Sequence, residues 1–181
     1  MKFFIFYFFI FEIFIYFFYS NFFLKVNFSF CNVGDLSVKK IVENCENLSK
    51  VIFSGTKITD KVIKKLNDRG DELEYLDISE IRNLDKEEVD DLVLSCSYLK
   101  YLNLSFNRDI DDKTLTMISA SCDELETLIL KTCPSITESG LISILSQCKN
   151  IHKMKIGGSE KIDLNKLMVL QDLFPKVKIT F

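Results

Sequence analysis

The sequence predicts an α/β solenoid of about six stacked units, each a strand, a turn and a short helix. Three observations predict it. Apolar residues return every 25 or 26 positions, at Phe23, Leu48, Leu73, Leu99, Leu125 and Ile151. Each is followed at the same two offsets by further apolar residues. Later in each unit the apolar spacing changes from that of a strand to that of a helix.

The strands come first in each unit. Their apolar pairs are Val26/Phe28, Val51/Phe53, Leu76/Ile78, Leu102/Leu104, Leu128/Leu130 and Met154/Ile156. Alternation of this kind puts one set of side chains in a core and the intervening set on the opposite face. The helices follow. Val38, Ile41 and Cys45 stand at i, i+3 and i+7, as do Val89, Leu92 and Cys96, then Leu115, Ile118 and Cys122, then Leu141, Ile144 and Cys148. That is one apolar stripe on a short helix. No unit can bury its apolar face alone, but stacked units share a continuous core. The shorter units lose their residue in the strand-to-helix turn, which carries little packing. After Pro175, Val177, Ile179 and Phe181 alternate as a terminating strand whose register no longer matches the repeat.

The run Leu125-x-x-Leu128-x-Leu130-x-x-Cys133, closing at Cys148, resembles the cysteine-containing leucine-rich repeats. The resemblance covers roughly residues 23–181. It implies a leucine-rich-repeat solenoid with parallel strands on the concave face and short helices on the convex face. This subfamily is best known from the substrate-binding halves of F-box ubiquitin-ligase receptors and related adaptors; small mitochondrial assembly factors are a second match. The function implied is a non-enzymatic protein-interaction module, an adaptor or substrate-recognition subunit in ubiquitin-dependent protein turnover, in the cytoplasm or nucleus. Residues 1–22 carry no F-box-like pattern.

Residues 1–22 form an apolar head outside the repeat. Residues 3–19 read FFIFYFFIFEIFIYFFY, with Glu12 the only charge. A run of this length can span a bilayer, although a central glutamate is costly there. A signal sequence, translated non-coding sequence and a degraded repeat are competing readings. If the head is real, the chain becomes a membrane-tethered or secreted recognition protein.

Net charge is −3, which argues against a nucleic-acid binder. The six cysteines fall in two repeat positions. Cys45, Cys96, Cys122 and Cys148 end the helix stripe, and Cys31 and Cys133 follow the strand. Other units place Gly70 or Phe174 at the first position and Thr56, Ile81, Asn107 or Ser159 at the second, which suits a packing slot rather than a metal or disulfide set. His152 has no acidic partner at a fixed sequence spacing and reads as a surface strand residue. Asp109, Asp111 and Asp112 precede a helix and read as its cap. Arg69-Gly70-Asp71 and the three glycosylation sequons at Asn27, Asn47 and Asn103 overlap repeat positions and read as by-products. No catalytic pair, cofactor motif or metal set emerges.

The functional signal lies in residues the repeat does not dictate. Strand alternation aligns Lys25, Lys50, Tyr75, Tyr101, Thr127 and Lys153 in one outward column. Asn27, Ile52, Asp77, Asn103, Ile129 and Lys155 form the next. Ser29, Ser54, Ser79, Ser105, Lys131 and Gly157 form a third. The candidate protein-binding set is Tyr75, Asp77, Tyr101, Asn103, Phe106, Ile129, Lys131, Lys153 and Lys155. It gives an aromatic centre with a basic flank, suited to a partner segment carrying apolar and acidic residues. The competing reading is that the tyrosines only stabilise the sheet as a cross-strand pair.

Overall fold

The computed structural model describes residues 25–180 apart from Glu46 and Asn83. The apolar head, Phe23 and Phe181 lie outside the described residues. Strands β1 (Lys25–Asn27), β2 (Lys50–Ile52), β3 (Tyr75–Asp77), β4 (Tyr101–Asn103), β5 (Thr127–Lys131), β6 (Lys153–Gly157) and β7 (Lys178–Thr180) form one parallel sheet in sequence order. Between them run α1 (Asp35–Asn44), α2 (Asp60–Asn67), α3 (Lys86–Ser95), α4 (Asp112–Ser121), α5 (Glu138–Gln147) and α6 (Leu164–Leu173).

The register follows the repeat. Val26 pairs with Val51, Val51 with Leu76, Leu76 with Leu102, Leu102 with Leu128, and Leu128 with Met154. These residues and the third-position row from Phe28 to Ile156 are all buried. Each such side chain contributes about 1.5–3 kcal/mol through its removal from water. β7 departs from the expected break in register. Ile179 pairs with Met154, so the terminating strand continues the ladder. The linking segment before it is one residue short, and backbone pairing absorbs the difference.

The helical stripe is wider than i, i+3, i+7. Val42, Val93 and Leu145 are also buried, one residue beyond the expected row, while Ile41 is only half-buried. The i+4 position therefore shares the core-facing arc.

Helix ends join neighbouring coils. Cys45, Cys96, Cys122 and Cys148 are the C-cap residues of α1, α3, α4 and α5. Thr59, Asp85, Asp111 and Asp163 cap helix N-termini by accepting backbone N–H bonds. The first residue of one helix then reaches the cap of the next. Asp35 accepts from Thr59 N–H at 2.7 Å, Asp60 from Asp85 N–H at 2.8 Å, and Asp112 from Thr137 N–H at 2.8 Å. At α3 that first residue is Lys86, which bridges Asp111 at 3.3 Å and Asp90 at 2.7 Å. Burial works against the Lys86 charge, but the two carboxylates outweigh it and raise its pKa. The expected capping role of the acidic cluster is thus present at Asp111, and Asp112 adds a link to the next coil.

One backbone feature recurs at the exits of β1 to β6. Phe30, Gly55, Glu80, Phe106, Thr132 and Gly158 all have positive φ, between 55° and 68°. A strand that must turn sharply into the next segment uses this left-handed conformation, which only glycine adopts without cost.

Candidate protein-interaction face

The repeat spacing brings Tyr75 and Tyr101 into direct register on β3 and β4. Their rings stack with centroids 3.8 Å apart and planes 4° from parallel. Lys50, one strand earlier in the same column, places its ammonium 3.4 Å from the Tyr75 ring centroid. A cation over a tyrosine face contributes about 0.5–1 kcal/mol when exposed, and a stacked aromatic pair about 0.5–1.5 kcal/mol. Both tyrosines are half-buried, so the stack supports the sheet and still leaves part of its surface open to solvent. The Tyr101 hydroxyl is pushed far above its ordinary pKa by burial, then by its hydrogen bond with Tyr75, and stays protonated. Lys50 is lowered by burial and by the charge of Lys25.

An open pocket of about 360 Å³ adjoins the stack, lined by Ser49, Lys50, Glu74, Tyr75, Lys100, Tyr101, Glu126 and Thr127. Glu74 and Lys100 pair across it at 3.1 Å. Both are well exposed, so the pair adds little stability and can exchange for other partners.

The polar column serves the sheet. Asp77 Oδ1 accepts from Ser79 N–H at 3.1 Å and Ser79 Oγ–H at 2.6 Å. Asn103 Nδ2 donates to Asp77 Oδ2 at 2.9 Å and to Ser79 Oγ at 3.2 Å. Asn103 Oδ1 accepts from Ser105 N–H at 3.1 Å and Oγ–H at 2.7 Å. Asp77 is therefore spoken for and only 9% exposed, and Ile129 is likewise 9% exposed. The outward surface comes instead from Tyr75, Tyr101, Phe106 (49% exposed) and half-buried Lys131, Lys153 and Lys155. Phe106 occupies the left-handed strand exit of β4, and its N–H donates to Lys131 O at 2.8 Å.

Sequence reasoning left Lys50, Glu74, Glu126 and Lys178 out of the candidate set. Lys50 stands in the tyrosine column, which was signal enough. Glu74 and Glu126 are one residue before that column, outside the strict alternation. Lys178 was hidden by the expected break in register before β7, which the structure does not have.

The cysteines are packing residues, and Cys122 and Cys133 also donate to carbonyls one coil back. All six are free. Cys133 Sγ lies 3.4 Å from Leu104 O, where Asn107 Nδ2 in the preceding coil reaches Ile78 O at 3.2 Å. Both side chains satisfy a carbonyl one coil back, so Cys and Asn interchange at that position. Arg69 of the integrin-type tripeptide points inward, donating to Val42 O at 2.8 Å and to Cys45 O. Gly70 beside it is buried.

A parallel sheet stacked one strand per repeat, backed by short helices, defines an α/β solenoid. The family model for the leucine-rich repeat matches residues 95–119. The fold around that stretch is a leucine-rich-repeat-like α/β solenoid. Among solved structures 41 chains match. One is the yeast complex of Rad7 and Elc1, with a TM-score of 0.68 and 16% identity over 82% of this chain. This chain spans 39% of that neighbour's length, and at 16% identity the likeness is one of fold. No curated protein matches in sequence. Among the described residues no helix is long and apolar enough to cross a membrane.

Proposed function

We propose that the chain is a non-enzymatic protein-interaction module whose concave strand face binds its partner, acting as an adaptor or substrate-recognition subunit of the F-box/leucine-rich-repeat type in ubiquitin-dependent turnover, in the cytoplasm or nucleus. The Lys50–Tyr75–Tyr101 stack carries the reading. It is a preordered aromatic anchor on an outward strand face, and such anchors dominate interface energetics. The neighbouring fold was solved as a complex of two proteins, which agrees with an interaction role. The adaptor role itself rests on resemblance of fold and motif.

The test is affinity capture with wild type and a folded Tyr75→Ala/Tyr101→Ala double variant, read by quantitative mass spectrometry. Loss of specific partners in the variant, with ubiquitin-ligase components among them, supports the reading. Unchanged recovery removes the concave face from it. The apolar run at residues 3–19 favours a second reading, membrane tethering. Fractionation of chains with and without residues 1–22 separates the two.

A further inference from the structure

We infer that the strand face takes an acidic segment of a partner protein, its carboxylates on the β5–β7 end and an apolar or aromatic side chain beside Tyr101. This deepens the interaction reading above and rests on it.

Charge is sorted between the two faces of the solenoid. The strands carry Lys25, Lys50, Lys131, Lys153, Lys155 and Lys178 against a single carboxylate, Asp77. That carboxylate is already bound within the sheet by Ser79 and Asn103. The helices lack this excess of lysine: α3 is acidic, with Glu87, Glu88, Asp90 and Asp91 against Lys86, and the other helices are close to balanced as a group. A chain of net charge −3 therefore presents a basic strand face.

The lysines are also concentrated. Lys131, Lys153, Lys155 and Lys178 sit on three adjacent strands, with Lys153 and Lys178 directly paired in register. Among the described residues none of these makes an ion pair, whereas Lys39, Lys64, Lys65, Lys86 and Lys100 each do. Like charges directly opposed on neighbouring strands are destabilising. A carboxylate seated between them relieves that repulsion, and this gives the end of the face a specific preference for acid.

Spacing limits the segment further. From β4 to β6 or β7 is two to three strand intervals, about 10–14 Å. An extended chain covers that span in roughly three or four residues. The recognised segment thus holds an apolar or aromatic residue three or four positions from a cluster of Asp and Glu. A nucleic-acid strand or an anionic membrane suits the face less well. Glu74 and Glu126 line the rim beside the tyrosines and oppose a phosphate array running the length of the sheet. A segment whose charge is confined to one end meets no such opposition.

The experiment is fluorescence anisotropy at low salt, using the full chain and a labelled peptide with one Phe, three Gly/Ser spacers and four Glu. Its controls are the same peptide with Gln for Glu, an oligothymidylate of matched charge, and phosphatidylcholine–phosphatidylserine vesicles. Variants are Lys153→Gln/Lys155→Gln/Lys178→Gln and Tyr75→Ala/Tyr101→Ala, each checked for fold by circular dichroism. The expected result is binding of the Glu peptide that falls at least about tenfold for the Gln peptide and for the lysine variant, and weakens with added salt. No binding of the Glu peptide, equal binding of the Gln peptide, or an unchanged lysine variant overturns the inference. So does oligothymidylate or vesicle binding as tight as the peptide's. If the lysine variant binds as wild type but the tyrosine variant does not, the acidic preference falls and the interaction face stands. If both variants bind as wild type, both fall.

Discussion

Asp112 and Thr137, 25 residues apart, are joined twice: Asp112 Oδ1 accepts the Thr137 N–H at 2.8 Å and Oδ2 accepts its hydroxyl at 2.5 Å. Asp35 and Thr59 repeat the arrangement at 2.7 and 2.6 Å. The aspartate at the start of one helix thereby fixes the start of the next. Gly140 is part of this geometry, because a Cβ there would lie 2.3 Å from Asp112 Oδ1. Removing one partner of a charge-assisted bond costs about 1–3 kcal/mol. Asp112→Ala should lower the unfolding free energy by that amount, read as a lower urea midpoint with little change in m-value. In a double-mutant cycle with Thr137→Val the two losses should be strongly non-additive. Additive losses would mean that the pair carries no coupling.

The buried thiols make a second prediction. Burial pushes Cys96 and Cys122 up to about 12 and Cys133 and Cys148 up to about 11. The thiolate is the reactive form, so these four should resist a thiol reagent at pH 8 until the chain unfolds. Half-buried Cys31 should react first. The same shifts act on stability. Above the ordinary thiol pKa the unfolded chain loses protons that the folded chain keeps, so the contribution is full below about pH 9 and is lost as pH rises toward 11–12. The unfolding free energy from denaturant titrations should fall over that window, by up to about 1.4 kcal/mol per pH unit for each thiol. Replacing the four by alanine should flatten the alkaline slope while lowering stability at neutral pH.

Glu80 offers a stabilising change. It holds φ at 57° in the column where Gly55 and Gly158 stand in other coils, and its side chain is exposed. The left-handed conformation costs a non-glycine residue about 1–2 kcal/mol. Glycine's greater freedom in the unfolded chain returns about 0.5–1 kcal/mol of that. Glu80→Gly should therefore raise stability by about 0.5–1 kcal/mol in thermal or urea unfolding. A loss on substitution would indicate that Glu80 makes an unrecognised contact.

Most of the fold is legible in the sequence because the repeat multiplies each weak local signal. One strand of three residues such as Tyr75–Asp77 is invisible alone, but its partners at Lys50–Ile52 and Tyr101–Asn103 fix its register. Tyr75 and Tyr101 were foreseeable as neighbours for that reason. The burial of Ile129 and the commitment of Asp77 to Ser79 and Asn103 were not. Alternation assigns a side chain to a face but says nothing of what its cross-strand neighbours cover or bind. The pairing of Ile179 with Met154 was also hidden, because the linking segment shortened where no motif marks it.

Gly70 separates what the repeat suggests from what packing demands. Its position is filled by cysteine at the ends of four other helices, so Gly70→Cys would make the sequence more regular. In the structure α2 stops early, at Asn67, and a short 3₁₀ turn at Gly70–Glu72 carries the chain toward β3. That turn brings the glycine against the end of α3. A Cβ on Gly70 would lie 1.8 Å from Ser95 Oγ, 2.6 Å from Ser95 Cβ and 2.8 Å from Ser95 backbone C. The hydroxyl could rotate away at the expense of its 2.8 Å bond to Leu92 O, but the backbone could not yield without moving α3. Overpacking of this kind costs about 1–3 kcal/mol. Gly70→Cys and Gly70→Ala should each destabilise by that amount in urea unfolding, and Ser95→Gly should recover part of the loss in either background. A neutral or stabilising Gly70→Cys would mean that α2 can extend to the length of its neighbours and that the 3₁₀ turn is not required by the packing of α3.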